Sequence, residues 1–273
     1  MIDTVHLFPV LDLQLIELLR SLEPGDWNKR TLAKQWNVKD IAAHLLDGNM
    51  RTLSFVRDGH SAPPDREIHS YRDLVDFLNQ LNADWVTAYK RVSPQVLIQQ
   101  LEITGKEYSR QIALLDPDAD AIFSVAWAGE QTSKNWFHVA REYTEKWHHQ
   151  QQIRDAVGIA GIMTKELFYP MIATFMRGLP HTYRDTMADR GTTVHMKINT
   201  EIGGDWFLVK KETGWELSTE AGPAADVSLV LEPDTAWKLF TKGVRPENIT
   251  DQVSISGDEK LARVALELVA VMA

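Results

Sequence analysis

The sequence of 273 residues contains no cysteine. Disulfides, thiolate metal ligands and a cysteine nucleophile are therefore excluded, and any thiol chemistry needs a thiol that arrives on a small molecule. Long apolar runs are also missing, since none approaches the roughly 20 residues that a transmembrane helix needs. The N-terminus lacks the basic and apolar regions of a signal peptide. We therefore expect a cytoplasmic protein that does not act on membranes.

Basic residues are in the minority, with 29 Lys and Arg against 38 Asp and Glu and a net charge of −9. This balance disfavours binding to nucleic acid or to anionic membranes, although it leaves room for a local basic pocket. Hydrophobic residues make up 44% of the chain, as in an ordinary globular protein. The partners we expect are small molecules, with the chain itself a monomer or a homodimer.

The first part of the chain shows helical periodicity. Apolar residues recur at three- and four-residue spacing, and breaker residues separate the periodic stretches. The pattern predicts five helices, over about residues 10–22, 38–57, 71–91, 93–115 and 136–158. Helices with apolar stripes and short to medium connections are typical of an up-and-down bundle.

The second part of the chain changes period from 3.6 to two. After a further helical stretch over 164–187, bent near Gly178 and Pro180, alternating residues predict strands. These lie near residues 194–198, 206–209, 215–217, 226–231 and 253–255. We predict a meander-like antiparallel sheet, with helices at 233–240 and from 259 to the C-terminus. The predicted domains are thus an all-α bundle, residues 1–160, and a smaller α+β domain, residues 161–273, which includes a linking helix.

The predicted helix over residues 136–158 carries the strongest candidate for a functional site. Glu145 and His149 lie one turn apart on the same side, with Cβ atoms about 5–6 Å apart, so both can bind one divalent cation. His44, on the second predicted helix, supplies a third ligand if the two helices are neighbours. Two imidazoles and one carboxylate leave positions open for water or substrate, as in catalytic zinc sites. Nickel, manganese, iron and cobalt accept the same ligands.

Spacing alone leaves two alternatives open. Arg141, Glu145 and His149 could instead form a polar ladder along a solvated helix face, with His44 packed in the core. His148 is also within reach of Glu145 at i+3, although it points roughly 100° away from His149.

Two motifs resemble those of the mycothiol-dependent maleylpyruvate isomerases and of the wider family of DinB-like bundles. The first is Trp-Asn-Val-Lys-Asp-Ile-Ala-Ala-His-Leu-Leu-Asp over residues 36–47. The second, about a hundred residues later, begins Thr-Glu-Lys-Trp-His-His at Thr144 and ends in Ala-Val-Gly at Gly158. Residues 226–243 and 253–263 resemble the C-terminal module of the isomerases, which is similar to sterol-carrier-type domains.

The resemblance implies a ligand set and an activity. It assigns His44, Glu145 and His149 as the metal ligands, which favours His149 over His148. Many relatives have Asp three residues after the last ligand, where this chain has Gln152, so a supporting carboxylate is missing there. The implied activity is that of a metal-dependent enzyme that binds a low-molecular-weight thiol and acts as an isomerase or S-transferase on a small electrophilic, anionic substrate.

Three further residues are candidates for the catalytic machinery of such an enzyme. Arg141 is the candidate for steering an anion to the metal, with an ion pair to Glu145 as the alternative. His138 is the candidate proton carrier, with a packed imidazole as the alternative. Arg245 is the candidate for reaching an anionic substrate from the second domain.

Two other functions compete with the enzyme hypothesis. The chain could be a non-catalytic carrier of a small apolar ligand, with Trp206, Trp215 and Trp237 lining a cavity, although such tryptophans more often belong to a core. It could also be a DinB-like protein that keeps the metal and has no surviving reaction.

Overall fold

A computed structural model describes residues 1–219 and 225–271 of the protein. The chain divides into two compact units, one made mainly of residues 3–119 and 145–162, the other mainly of residues 120–144 and 163–271. The predicted boundary near residue 160 stays a prediction. No helix in the described ranges is long and apolar enough to cross a bilayer.

Four complete helices and the last part of a fifth build the first unit. They are α1 (Phe8–Ser21), α2 (Val38–Thr52), α3 (Tyr71–Tyr89), α4 (Pro94–Ile112) and α5 (Asn135–Val157), with the division between units inside α5. Helix α2 packs against α3 and α4, and α1 packs against α4. The predicted helices of the bundle are confirmed, and their ends differ from the prediction by a few residues. A π-helical turn, Leu53–Arg57, continues α2 where one helix was predicted.

Local sequence explains where the bundle helices begin. Asn37 accepts a hydrogen bond from the Asp40 backbone N–H, and the Asp40 carboxylate accepts one from the backbone N–H of Asn37. Ser70 and Ser93 accept equivalent bonds at the starts of α3 and α4. Such caps satisfy N–H groups that the helix leaves without partners.

The second unit contains a five-stranded sheet with short helices. Its elements after α5 are α6 (Lys165–Met176), α7 (Leu179–Thr182), β1 (Thr193–Ile198), β2 (Gly204–Lys210), β3 (Trp215–Ser218), β4 (Val227–Leu231), α8 (Pro233–Phe240), β5 (Val253–Gly257) and α9 (Glu259–Arg263). Val194, Met196 and Ile198 of β1 are buried, and His195 and Lys197 between them are less buried, which is the period of two that predicted the strands.

The sheet order is β3-β2-β1-β4-β5, and this corrects the predicted meander. Strand β1 pairs with β2 antiparallel and with β4 parallel, so β1 lies in the middle of the sheet. Alternation indicates which face of a strand is buried, but it carries no information on which strand lies alongside. The prediction of an α+β unit with a largely antiparallel sheet is confirmed, and the prediction of a simple meander is wrong.

Two predicted helices end earlier than expected. The stretch over 164–187 breaks into α6 and α7, because Pro180 has no N–H to continue the hydrogen bonding and instead occupies the first turn of α7. The last helix ends at Arg263 and is followed by a 3-10 turn, Val264–Glu267. The backbone N–H of Ala270 donates to the Phe240 carbonyl 2.9 Å away, a tertiary bond that a continued helix would not make. Residues 272 and 273 lie outside the described ranges.

Candidate metal centre

Three side chains from two helices of the first unit converge. His44 comes from α2, and Glu145 and His149 come from α5; one ligand atom of each lies within 4.8 Å of the others. Nε2 of His149 is 3.6 Å from Oε2 of Glu145. The rings of His44 and His149 have centroids 4.6 Å apart and stand nearly perpendicular, at 76°. The two helices are therefore neighbours at this point, as the sequence argument required.

The local sequence holds His44 at this place on α2. Ile41, Ala42, Leu45 and Leu46 are buried on the core side of the helix, which leaves His44 at the margin of the core. The indole of Trp36, just before the helix, packs on the His44 ring with centroids 4.7 Å apart. The same indole lies 6.2 Å from the ring of His149.

The His44 imidazole is held in the neutral state. Burial lowers its pKa well below the ordinary value for histidine, and its neighbours His149 and Arg51 lower it further. A neutral imidazole keeps the lone pair that a metal requires. Its Nδ1 is buried and has no hydrogen-bond partner in the described part of the chain. Such an unsatisfied nitrogen is costly, and coordination to a cation would remove that cost.

The His149 ring is oriented by Gln152. Nδ1 of His149 is 2.9 Å from Oε1 of Gln152, one turn further along α5. An amide oxygen can only accept, so Nδ1 carries a proton, and in the neutral tautomer the lone pair lies on Nε2, which faces Glu145. A neutral carbonyl thus takes the place of the carboxylate that the sequence comparison found missing. Sequence reasoning did not assign this role, although the i+3 spacing is a signal for it.

These residues fit a divalent metal of the zinc type. With metal–ligand distances of about 2.0–2.2 Å, tetrahedral ligand atoms lie about 3.4 Å apart. The distance of 3.6 Å between His149 and Glu145 is close to that value. The wider separations, up to 4.8 Å, require a modest movement. The flexible side chain of Glu145 can supply it. Two nitrogens and one oxygen leave a fourth position for water or substrate.

His148 is not part of the cluster. It is 3% exposed, and its ring centroid lies 4.0 Å from that of His149. Among the described residues, the ligand atoms that approach one another belong to His44, Glu145 and His149, not to His148.

The three candidate catalytic residues belong to the second unit. Arg141 Nη2 is 2.7 Å from Oε1 of its neighbour Glu142. His138 has a pKa lowered to about 4, chiefly by burial, so it is neutral near pH 7. Its Nδ1 is buried without a hydrogen-bond partner in the described residues. Arg245 is exposed in a loop ahead of a 3-10 turn. The catalytic roles of these residues stay predictions.

The three tryptophans of the carrier hypothesis are buried in the second unit, with exposures of 1%, 6% and 0% for Trp206, Trp215 and Trp237. Trp206 stacks on Tyr169, and the indole N–H groups of the other two donate to Thr186 and Asp234. These contacts are those of packed core residues.

One charged residue near the cluster was missed by sequence reasoning. Arg51 follows His44 by seven residues on α2, and its charge contributes to the lowered pKa of His44. A spacing of seven on a helix is the signal that could have identified it.

Comparisons with known proteins agree with this architecture. The family described as the mycothiol maleylpyruvate isomerase N-terminal domain matches residues 11–154. A crystal structure of the mycothiol-dependent maleylpyruvate isomerase superposes with a TM-score of 0.53 and 10% identity, covering 92% of this chain and 91% of that one. A point mutant of that enzyme gives a TM-score of 0.54 and 9% identity with the same coverage. At these identities the structural likeness shows the fold alone.

A weaker structural match concerns a sterol carrier protein 2 like 2 from Aedes aegypti, at 16% identity and a TM-score of 0.27. It covers 36% of this chain and 95% of that chain. No curated protein matches the sequence. The family match spans more than half of the 273 residues. The chain therefore belongs to the family that carries the mycothiol maleylpyruvate isomerase N-terminal domain.

Proposed function

We propose that this protein is a metal- and thiol-dependent enzyme, an isomerase or S-transferase of the maleylpyruvate isomerase kind, whose cation is held by His44, Glu145 and His149. The observation that carries the proposal is the approach of three ligand atoms to within 4.8 Å of one another. Family membership supports the thiol and the reaction class. Zinc is the cation we propose, because two imidazoles, one carboxylate and an open position are typical of catalytic zinc; nickel is compatible with the same ligands.

The residues of the chain prepare the site for this chemistry. Gln152 fixes the proton of His149 on Nδ1 and so presents Nε2. Trp36 covers one face of His44 and excludes water there. A bound divalent cation lowers the pKa of a coordinated thiol, and the resulting thiolate is a nucleophile for reversible addition to an activated alkene or for displacement of a leaving group. The thiol is a separate small molecule, since the chain has no cysteine.

The substrate we propose is a small electrophile that carries negative charge. We propose that Arg141 and Arg245 attract it, and that His138, neutral near pH 7 with its pKa of about 4, accepts a proton rather than donating one.

Metal analysis of the purified protein tests the proposed ligand set. After loading with zinc and removal of excess, we expect one zinc per chain in the wild type and almost none in His44→Ala. His60→Ala is the matched control, because His60 is an exposed histidine of the same unit and should retain the metal. Wild-type protein without metal under zinc-replete conditions would refute the proposal and leave the carrier hypothesis.

A thiol panel tests the second half of the proposal. Mycothiol, bacillithiol and glutathione are compared by the shift in Tm of the zinc-loaded protein, because a ligand of the native state stabilises by RT ln(1 + [L]/Kd). We expect one thiol to raise the Tm of the wild type and not of His44→Ala. Turnover of maleylpyruvate is then measured with that thiol. Zinc binding without any thiol-dependent turnover would identify a metal-binding relative that has lost the reaction.

A further inference from the structure

Three polar side chains meet on the outer face of the sheet in the second unit. His195 of β1 lies directly opposite Ser228 of β4 and Phe207 of β2 in the strand register. Asp205 precedes Phe207 by two residues, so its side chain is on the same face. The residues that alternate with them along the strands, such as Met196, are buried in the core. The sheet therefore presents His195, Asp205 and Ser228 together on the side away from the core.

The imidazole of His195 contacts both of the other polar side chains. Its Nε2 is 2.6 Å from Oδ1 of Asp205, and its Nδ1 is 3.2 Å from Oγ of Ser228. An ionised carboxylate only accepts hydrogen bonds, so Nε2 carries a proton. In the neutral tautomer the lone pair then lies on Nδ1, and the Ser228 hydroxyl donates to it. A hydroxyl within about 2.6–3.2 Å of a base that a third group orients is the arrangement of an activated serine.

The base of this cluster is fixed in direction, and the cluster is accessible. The ring of Phe207 stacks on the imidazole of His195, with centroids 4.7 Å apart and planes 9° from parallel. The side chain of His195 is 19% exposed and that of Asp205 is 50% exposed, and Ser228 is partly exposed. A base that is already in place needs little reordering when a reaction begins. A small electrophile can therefore reach a hydroxyl whose proton acceptor is already oriented.

The position of the cluster in the sheet limits the chemistry that it can perform. Strands β1 and β4 lie side by side between β2 and β5, so the neighbouring strands take up their backbone N–H groups. Within these two strands, both in the described part of the chain, no pair of backbone N–H groups is left to stabilise an oxyanion. One such donor is typically worth about 10²–10³ in kcat. The reaction is thus confined to esters whose leaving group departs without that assistance.

We propose that Ser228 is a nucleophile that accepts an acyl group from small esters with a good leaving group, such as aryl esters. His195 is its general base, and Asp205 is a positioning residue for His195. Oγ of Ser228 forms a bond to the acyl carbon, and the bond from that carbon to the leaving oxygen breaks. The hydroxyl proton moves to Nδ1 of His195 and then to the leaving oxygen. Water attacks the acyl carbon in the second half of the reaction, and its proton returns through His195 to Oγ of Ser228.

Hydrolysis of p-nitrophenyl acetate by the zinc-loaded protein tests this proposal. The release of p-nitrophenolate above the uncatalysed background is followed by absorbance. We expect Ser228→Ala to abolish that release. Ser256→Ala is the matched control and should react like the wild type, because Ser256 is exposed directly opposite Ser228 on β5, two strands and about 10 Å from β1. A fluorophosphonate, which loses fluoride when a serine oxygen attacks its phosphorus, gives a stable adduct that peptide mass spectrometry should locate on Ser228.

Two further variants test the roles of the neighbours. His195→Gln should lower the rate by about 100-fold or more, since a general base contributes about 10²–10⁴. Asp205→Asn should lower the rate by about tenfold or more, because an amide N–H can donate to Nε2 and move the imidazole proton to the side of Ser228. Asp205→Glu should recover part of that loss, which a merely structural role would not predict. Circular dichroism establishes that each variant is folded, and these variants decide the question if Ser228→Ala is not.

The outcomes separate this activity from the proposed metal chemistry. An unchanged rate after zinc is removed with EDTA supports the proposal, whereas loss of the rate would assign the reaction to the metal and overturn it. Wild-type protein without release above background also overturns it, as does a wild-type rate in folded Ser228→Ala or His195→Gln. An adduct on another residue, or an equal loss of rate in Ser256→Ala, has the same consequence. Failure of the protein to bind zinc affects the proposed function alone.

Discussion

Removal of the Gln152 amide is expected to weaken the metal site without breaking the bundle. In Gln152→Ala, the buried Nδ1–H of His149 loses the acceptor that now lies 2.9 Å away. The imidazole is then free to take the other tautomer or to turn, and either change removes the lone pair from its place opposite Glu145. Loss of such a supporting contact typically costs 10–100-fold in metal affinity, which corresponds to about 1.4–2.7 kcal/mol.

The assay is competition for zinc with a chromophoric chelator at pH 7. We expect the zinc Kd to rise by about tenfold or more in Gln152→Ala. Gln152→Glu has nearly the same shape and is the matched comparison. Its carboxylate makes His149 more basic, so zinc should bind at least as tightly as in the wild type. A folded Gln152→Ala protein with the wild-type Kd would show that this contact does not support a metal ligand.

Two further predictions concern stability, each measured by urea unfolding. The side chain of Lys146 is 9% exposed, and its Nζ lies 2.9 Å from Oδ1 of Asp12 and 2.7 Å from Oδ1 of Asn49. Asp12→Ala should therefore lower the free energy of unfolding by about 3–5 kcal/mol, because it leaves a buried charge without its partner. The double variant Asp12→Leu with Lys146→Met should cost much less, and a double variant as unstable as Asp12→Ala would contradict this account. His138 has a pKa of about 4 in the folded chain against an ordinary value of 6.5. Between pH 6.5 and pH 4 only the unfolded chain binds a proton at this histidine. The free energy of unfolding of the wild type should therefore fall by about 3 kcal/mol more over that interval than that of His138→Gln. If the free energies of unfolding of the two proteins changed equally with pH, this prediction would be wrong.

The sequence was sufficient for the local part of the candidate site. Glu145 and His149 occupy one face of α5 because the helix repeats every 3.6 residues, and this holds wherever the helix lies. The same reasoning predicted α2 from the apolar spacing of residues such as Ile41 and Leu45, and the strands from alternation. Periodicity of this kind depends only on neighbours in the chain.

Pairings between distant segments could not be read from the same pattern. The placement of His44 against His149 joins residues 105 positions apart along the chain, and the parallel pairing of β1 with β4 joins residues 33 positions apart. The end of the last helix was likewise decided by the bond from Ala270 to Phe240. Each depends on which apolar faces pack together. The pattern of a single helix or strand shows that one of its faces is apolar, but many different partners could cover that face equally well.

The sequence alone determined the family, the helical and strand segments, and the three side chains that could hold a cation. Tertiary structure decided that the three approach one another from two helices, and that Trp36 packs against the ring of His44. The physical reason is that the direction of a side chain follows from its own backbone. Its partners, its burial and its protonation state follow from groups that the fold brings to it from elsewhere.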